Sequence, residues 1–282
     1  MANVYEIVTE RIIKMVEEKG HLPWQRPWNV NESFPVNIER PTKSYQGINF
    51  WILLSAGFKS PFWLTSKQAK KFGGRIKYAE WKKSTLIVFW KFLDDKETEG
   101  KKIPMLRYYY VYNIEQAEGI DPKRIPVITE NSKLEFDPID ECEKILSDMP
   151  MPITMVQHGK TKAYYSPWED KIGMPDKTDF VSIEEYYSTL FHEFIHATGH
   201  ETRTNRKGAF GAGFGREKYS KEELVAEIGT CFLCHTAGIE NKTMDNSVAY
   251  IGAWLKKLKN DPRMIVFAAS QAQKATDYIL DA

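Results

Sequence analysis

The residues best suited to chemistry stand in Phe191-His192-Glu193-Phe194-Ile195-His196-Ala197-Thr198-Gly199-His200. Residues four apart on a helix share a face, with Cβ atoms about 5–6 Å apart. His192 and His196 can therefore turn both imidazoles onto one small cation. Neutral imidazole is a good zinc ligand, so zinc is the expected cofactor. Glu193 sits beside the first histidine, where its carboxylate reaches a water at the metal and not the metal itself. A carboxylate so placed is a general base for metal-assisted peptide hydrolysis.

A catalytic zinc takes three protein ligands. Thr202 stands where a metzincin would place its third histidine, and His200 follows His196 too closely to be an ordinary ligand. His200 reads as a helix-end residue or as support behind the ligands. The better candidate lies in Ser220-Lys221-Glu222-Glu223-Leu224-Val225-Ala226-Glu227-Ile228-Gly229. Glu223 and Glu227 lie one helical turn apart, which is similar to the Glu-zincin arrangement. That resemblance makes Glu223 the third ligand and Glu227 the carboxylate that orients a ligand histidine through its ring N–H. In the competing reading Glu223 is only the N3 partner of Ser220 in a capping box, and Glu227 is the ligand. Tyr164 and Tyr165 are candidate donors to a developing oxyanion. Neighbours on a strand point to opposite faces, so only one can serve, and both can instead simply pack.

These side chains need a helix under them. Ser182-Ile183-Glu184-Glu185 reads as a capping box, with Ser182 as N-cap and Glu185 at N3. Tyr187, Leu190, Phe191, Phe194 and Ile195 then recur at helical spacing, and Gly199 is a natural stop. A second helix is expected from Lys221, and two more over about 246–259 and 263–280. Before the motif, 137–149 reads as a helix, 154–157 with 163–166 as a hairpin, and 171–175 as a strand near the site. The Gly-rich, basic stretch 201–219 reads as a loop beside the cleft.

The first part of the chain has another character. Residues 3–19 predict an amphipathic helix closed by Gly20. Leu22 to Trp28 is a rigid loop with two tryptophans, and Trp63 to Phe72 reads as a short capped helix. Residues 84–93 and 105–113 predict a β-hairpin. Within 59–83, eight Lys/Arg and one Glu80 interleave with Phe62, Trp63, Phe72, Tyr78 and Trp81. Cations beside aromatic faces can hold single-stranded nucleic acid, and they can equally be a solvated surface over an ordinary aromatic core. Residues 115–135 read as a linker.

The 282 residues carry a net charge of only +1. Residues 1–120 hold 19 Lys/Arg and 13 Asp/Glu, whereas residues 121–282 hold 20 and 25. That asymmetry suggests two domains with different partners. Three cysteines are too few for a disulfide scaffold, so a reducing, cytoplasmic setting is expected. Cys231-Phe232-Leu233-Cys234-His235 matches the haem-attachment pattern, but it continues an apolar helix and no haem is expected. The start of the chain has no basic-plus-apolar leader, and no apolar run reaches 18 residues, so no membrane partner is expected.

These residues together resemble the ArdC-type antirestriction proteins of mobile elements and phages. The resemblance is carried by Pro23 to Trp28, Tyr45 to Asn49, Trp63 to Gln68, Val111 to Gln116, Ala163 to Tyr165, His192 to His200 and Glu222 to Gly229. It implies an α+β protein of two domains: a single-stranded-DNA-binding domain over 1–125 and a zincin-like metallopeptidase domain over 136–282, the latter similar to SprT-like proteases. The DNA contacts it suggests are Trp24, Arg26, Trp28, Lys43, Tyr45, Trp63, Lys67, Lys70 and Lys71. The function expected is a zinc peptidase acting on proteins bound to the same DNA. The alternative is a non-catalytic protein that shields DNA or blocks a restriction enzyme and holds its zinc for structure.

Overall fold

The computed structural model describes residues 3–23, 34–94, 102–126, 138–158, 162–207, 209, 216–239 and 248–281. They divide into two compact units, residues 3–23 and 34–126 in the first and residues from 138 onward in the second. Both mix helix and strand, giving an α+β protein.

The first unit opens with α1 (Val4–Lys19), capped by the Asn3 side chain and closed by Gly20 at φ 73°. Five strands follow: β1 (Val36–Asn37), β2 (Arg40–Ser44), β3 (Phe62–Leu64), β5 (Thr85–Asp94) and β6 (Lys102–Asn113). They form one sheet in the order β2-β1-β3-β6-β5. The short strands β4 (Arg75–Ile76) and β7 (Ala117–Glu118) pair separately. The expected hairpin is the long β5–β6 pair, in continuous register from Thr85↔Val111 to Asp94↔Lys102. Helix α2 (Ile48–Leu54) guards the open edge of β5. The Asn49 amide donates to the Val88 carbonyl at 2.7 Å and accepts from the Val88 N–H at 2.8 Å. An edge strand so satisfied is no template for stray pairing. The helix expected from Trp63 to Phe72 is shorter, α3 (Ser66–Lys71), with Thr65 and Gln68 forming its capping box. Trp63 belongs to β3, whose three residues are all buried.

In the second unit α4 (Pro138–Ser147) precedes three strands, β8 (Thr154–Gln157), β9 (Tyr164–Ser166) and β10 (Lys171–Met174). The expected β8–β9 hairpin does not form. β10 lies between them, parallel to β8 and antiparallel to β9. The tight connection is the one from β9 to β10, where Asp170 takes a left-handed conformation at φ 46°. Gly173 on β10 leaves room for its neighbour, since a Cβ there would meet the Tyr164 ring at 2.5 Å.

Four helices complete this unit: α5 (Ile183–Thr198), α6 (Arg216–Ala237), α7 (Val248–Asn260) and α8 (Met264–Ile279). Ser182 caps α5 by accepting from the Glu185 N–H at 3.2 Å. Glu185 does not complete the box, because its carboxylate accepts from the Val181 N–H instead. Tyr187, Phe191 and Ile195 of α5 are 0–1% exposed, as are Leu224 and Ile228 of α6 and Ile265 and Ala269 of α8. α6 starts at Arg216, so Ser220 lies inside it and cannot be its N-cap. The capping reading of Glu223 therefore falls. Cys231 and Cys234 are buried within α6, which leaves no accessible haem-attachment site there.

α5 and α6 approach closely at Gly229. A Cβ at that position would lie 2.7 Å from Ile195 Cδ1. Gly229→Ala should cost about 1–3 kcal/mol through overpacking. Denaturant unfolding that matches wild type within ~0.5 kcal/mol would contradict this close approach.

Candidate metal centre

His192 and His196 project from the face of α5 that meets the first described turns of α6. Their Nε2 atoms stand 3.2 Å apart. Glu223 brings Oε2 to 3.5 Å from His192 Nε2 and Oε1 to 3.5 Å from His196 Nε2. One ligand atom from each of the three lies within 4.8 Å of the others, a set suited to holding a metal ion. Zinc ligands at about 2.0–2.1 Å in a tetrahedron stand about 3.3–3.4 Å apart. Two imidazole lone pairs facing each other cannot hydrogen-bond, whereas a cation between them and a carboxylate would bind all three. The donor set thus fits a divalent metal.

The tautomer of His196 is set from behind. Its Nδ1 lies 3.2 Å from Glu222 Oε1, so Nδ1–H donates to that carboxylate and Nε2 keeps its lone pair for the cation. Burial pushes the His196 pKa down, but the carboxylates of Glu222, Glu193 and Glu223 more than offset this and leave it raised. Burial likewise works to raise Glu222, and His196 with Arg206 brings it below the ordinary carboxylate value.

This corrects the sequence expectation for Glu227. Glu222 is the carboxylate on His196, while Glu227 accepts a hydrogen bond from Tyr250. Glu222 and Glu227 are five residues apart on α6, so their side chains leave the helix about 140° apart. Glu222 lies on the stripe with Ala226 and Gly229, the residues small enough to face α5. That stripe was the available sequence signal. His200 is not at the cluster either. Its Nδ1 pairs with Thr202 Oγ1 at 2.8 Å.

Arg206 is the second residue that sequence reasoning missed. It is 7% exposed. Its Nε donates to Glu222 Oε2 at 2.9 Å and its Nη2 to Glu222 Oε1. The same guanidinium donates to Thr198 Oγ1 at 3.0 Å and to the Ile195 carbonyl at 2.9 Å. It ties the C-terminal turn of α5 to the carboxylate that orients His196. The described part of the expected loop is therefore pinned. Arg203 extends the pinning, donating to Ala197 O at 2.8 Å and pairing with Asp170.

Tyr165 is drawn into that last pair. Its hydroxyl donates to Asp170 Oδ1 at 2.7 Å, so its proton is committed there. Burial, then the Asp170 carboxylate, push the Tyr165 pKa up. Tyr164 stacks on His158 with centroids 5.3 Å apart and keeps 39% exposure.

Glu193 differs from its neighbours. It is 9% exposed and makes no hydrogen bond or ion pair among the described residues. Its carboxylate oxygens are not among the sealed, unpartnered atoms, so they keep access to water beside the three donors, where a general base must meet its water.

Among the described residues, those expected at nucleic acid are scattered over the first unit. Trp24, Arg26 and Trp28 lie outside the described residues. Lys43, Lys67 and Lys70 are exposed. Lys71 pairs with Glu39 at 2.6 Å. Tyr45 is partly buried and accepts from Asn37 at 3.2 Å. Trp63 is 2% exposed and packs against Phe58 at 5.5 Å, so it cannot stack on a base. Its expected role is corrected to core packing.

Fold and site define a protein with a zincin-like metallopeptidase domain, and residues 141–271 match that family. Residues 2–112 match the N-terminal domain of the anti-restriction factor ArdC. The crystal structure of the antirestriction protein ArdC from plasmid R388 in its Mn(II)-bound form is similar at TM-score 0.78 and 32% identity, over 99% of this chain and 98% of that one. Its metal-free form aligns at TM-score 0.76 and 34% identity, over 99% and 97% of the two chains. The chain belongs to the ArdC family of antirestriction proteins. Two Escherichia coli proteins described as DNA primase TraC are 35% and 33% identical over 98% of the chain, which spans only 27% and 20% of their lengths.

Proposed function

We propose that the chain is a single-stranded-DNA-binding antirestriction protein with a zinc-dependent peptidase site that acts on proteins at DNA. The boundaries proposed are 1–125 for DNA binding and 136–282 for the peptidase. The observation that carries the peptidase reading is Glu193, a largely enclosed side chain whose carboxylate keeps access to water and makes no hydrogen bond among the described residues, beside three convergent metal donors. A metal held only for structure has no use for such a group.

His192, His196 and Glu223 would hold the cation, which would supply Lewis-acid polarisation of the scissile carbonyl. Glu193 takes the proton of the attacking water and later returns it to the leaving amine. Glu222 fixes the tautomer of His196, and Arg206 fixes Glu222. With the Tyr165 proton engaged by Asp170, Tyr164 is the remaining tyrosine that could donate to the oxyanion. Zinc is preferred because two imidazoles and a carboxylate suit it and because it binds nitrogen donors more tightly than manganese does. DNA binding rests on the family of the first domain and its basic charge. Holding the peptidase on a strand would raise the local concentration of proteins bound to that strand. No described helix is long and apolar enough to cross a membrane, and a cytoplasmic location follows from the proposed DNA partner.

His192→Ala, His196→Ala and Glu223→Ala should each lower metal content as measured by elemental analysis, while Glu227→Ala should keep it. Full occupancy in Glu223→Ala with loss in Glu227→Ala would reverse the ligand assignment. Proteolysis assayed with and without single-stranded DNA tests the activity. Cleavage that rises with DNA and stops with a chelator supports it. A chain that binds metal and DNA but cleaves none of a panel of DNA-binding proteins would instead be a shield or a restriction-enzyme blocker.

A further inference from the structure

The outer half of the β5–β6 hairpin exposes large aromatic rings that a core would normally take up. Phe89 is 42% exposed and Tyr109 is 37% exposed. The register pairs Phe89 with Arg107 and Ile87 with Tyr109, so these four side chains share one face, and Lys91 joins them by the two-residue period. Toward the inner end of this face Ile87 and Val111 are sealed into a core with Leu53 and Trp63. The next rungs are not covered. Phe89 and Tyr109 meet edge to face with centroids 5.5 Å apart.

These rings are held ready. Asn37 donates to the Tyr45 hydroxyl at 3.2 Å, and the Tyr45 hydroxyl lies close enough to Tyr109 for the two phenols to influence each other. A ring fixed on a rigid sheet loses little freedom when a partner stacks on it. Lys91 and Arg107 are exposed and form no ion pair among the described residues. Apolar faces beside unpaired cations match a polyanion whose bases are bare. In a duplex those base faces are hidden, whereas a single strand offers each one for stacking.

We propose that Phe89 and Tyr109, flanked by Lys91 and Arg107, form the stacking platform of this chain for single-stranded DNA. The inference rests on the DNA-binding reading given above and assigns it a surface. It moves the contact away from Trp63, which is buried. The opposite face of the hairpin lies against α1, where Tyr5 meets Trp90 at 6.3 Å; its Trp90, Tyr108 and Tyr110 are 40–49% exposed, but no Lys or Arg of the two strands stands beside those three rings. Tyr78, 94% exposed, stands near Glu80 and Lys83, which pair with each other.

The test is fluorescence anisotropy of the full chain with a labelled oligo(dT), repeated with the same length as a duplex. Phe89→Ala and Tyr109→Ala should each weaken binding on the order of 10-fold, while Tyr109→Phe, which keeps the ring, should stay near wild type. Lys91→Ala with Arg107→Ala should reduce the slope of log affinity against log salt by roughly 1.4. Duplex should bind more weakly than the single strand. Binding that survives Phe89→Ala combined with Tyr109→Ala, or that is lost instead in Tyr78→Ala, overturns this surface while leaving the DNA reading intact. A wild-type chain that binds no oligo(dT) overturns both.

Discussion

Arg206→Ala should unfold at markedly lower denaturant and bind its metal about 10–100-fold more weakly. The stability loss arises because Glu222 would keep a buried charge without its main partner. Removing one member of a buried ion pair typically costs about 3–5 kcal/mol. Arg206 also satisfies the Ile195 carbonyl and Thr198 Oγ1, so the last turn of α5 would lose two more hydrogen bonds. The metal effect follows from the chain Arg206–Glu222–His196, since residues that orient a ligand histidine commonly contribute 10–100-fold to affinity. The two effects can be separated with a second change. In Arg206→Ala combined with Glu222→Gln the buried charge is gone, so part of the stability should return while metal affinity stays low. An Arg206→Ala variant within ~1 kcal/mol of wild type, with unchanged metal affinity, would show that the network does not act as described.

Much of this site was legible in the sequence because it depends on local spacing. His192, Glu193 and His196 lie within one turn and a half of α5, and their relation is fixed by helical geometry alone. The Ser182 cap and the helices after Lys221 follow from short-range signals of the same kind. What was not legible depends on how elements meet. Whether Glu222 or Glu227 reaches a histidine depends on the rotation of α6 against α5, which the contact of Gly229 with Ile195 sets. Arg206 sits in a stretch with no periodicity, and only its tertiary partners reveal that it is buried. The order β8-β10-β9 is likewise a non-local choice. Trp63 was misplaced because a basic neighbourhood on either side says little about a strand enclosed on both faces.

The central claim is that Glu193 is the general base of a working peptidase, and one comparison tests it most directly. Wild type and Glu193→Gln are each loaded with zinc and mixed with a DNA-binding protein on single-stranded DNA. Cleavage is then followed by electrophoresis and mass spectrometry. The amide keeps the size and neighbours of the carboxylate but cannot take a proton, so general-base catalysis worth about 10²–10⁴-fold should be lost. Metal content and DNA affinity should stay near wild type, because Glu193 is not among the three convergent donors. Cleavage by wild type that disappears in Glu193→Gln at equal metal and DNA binding is the predicted result. Equal cleavage by both would contradict the role of Glu193, and no cleavage by either would contradict the peptidase itself.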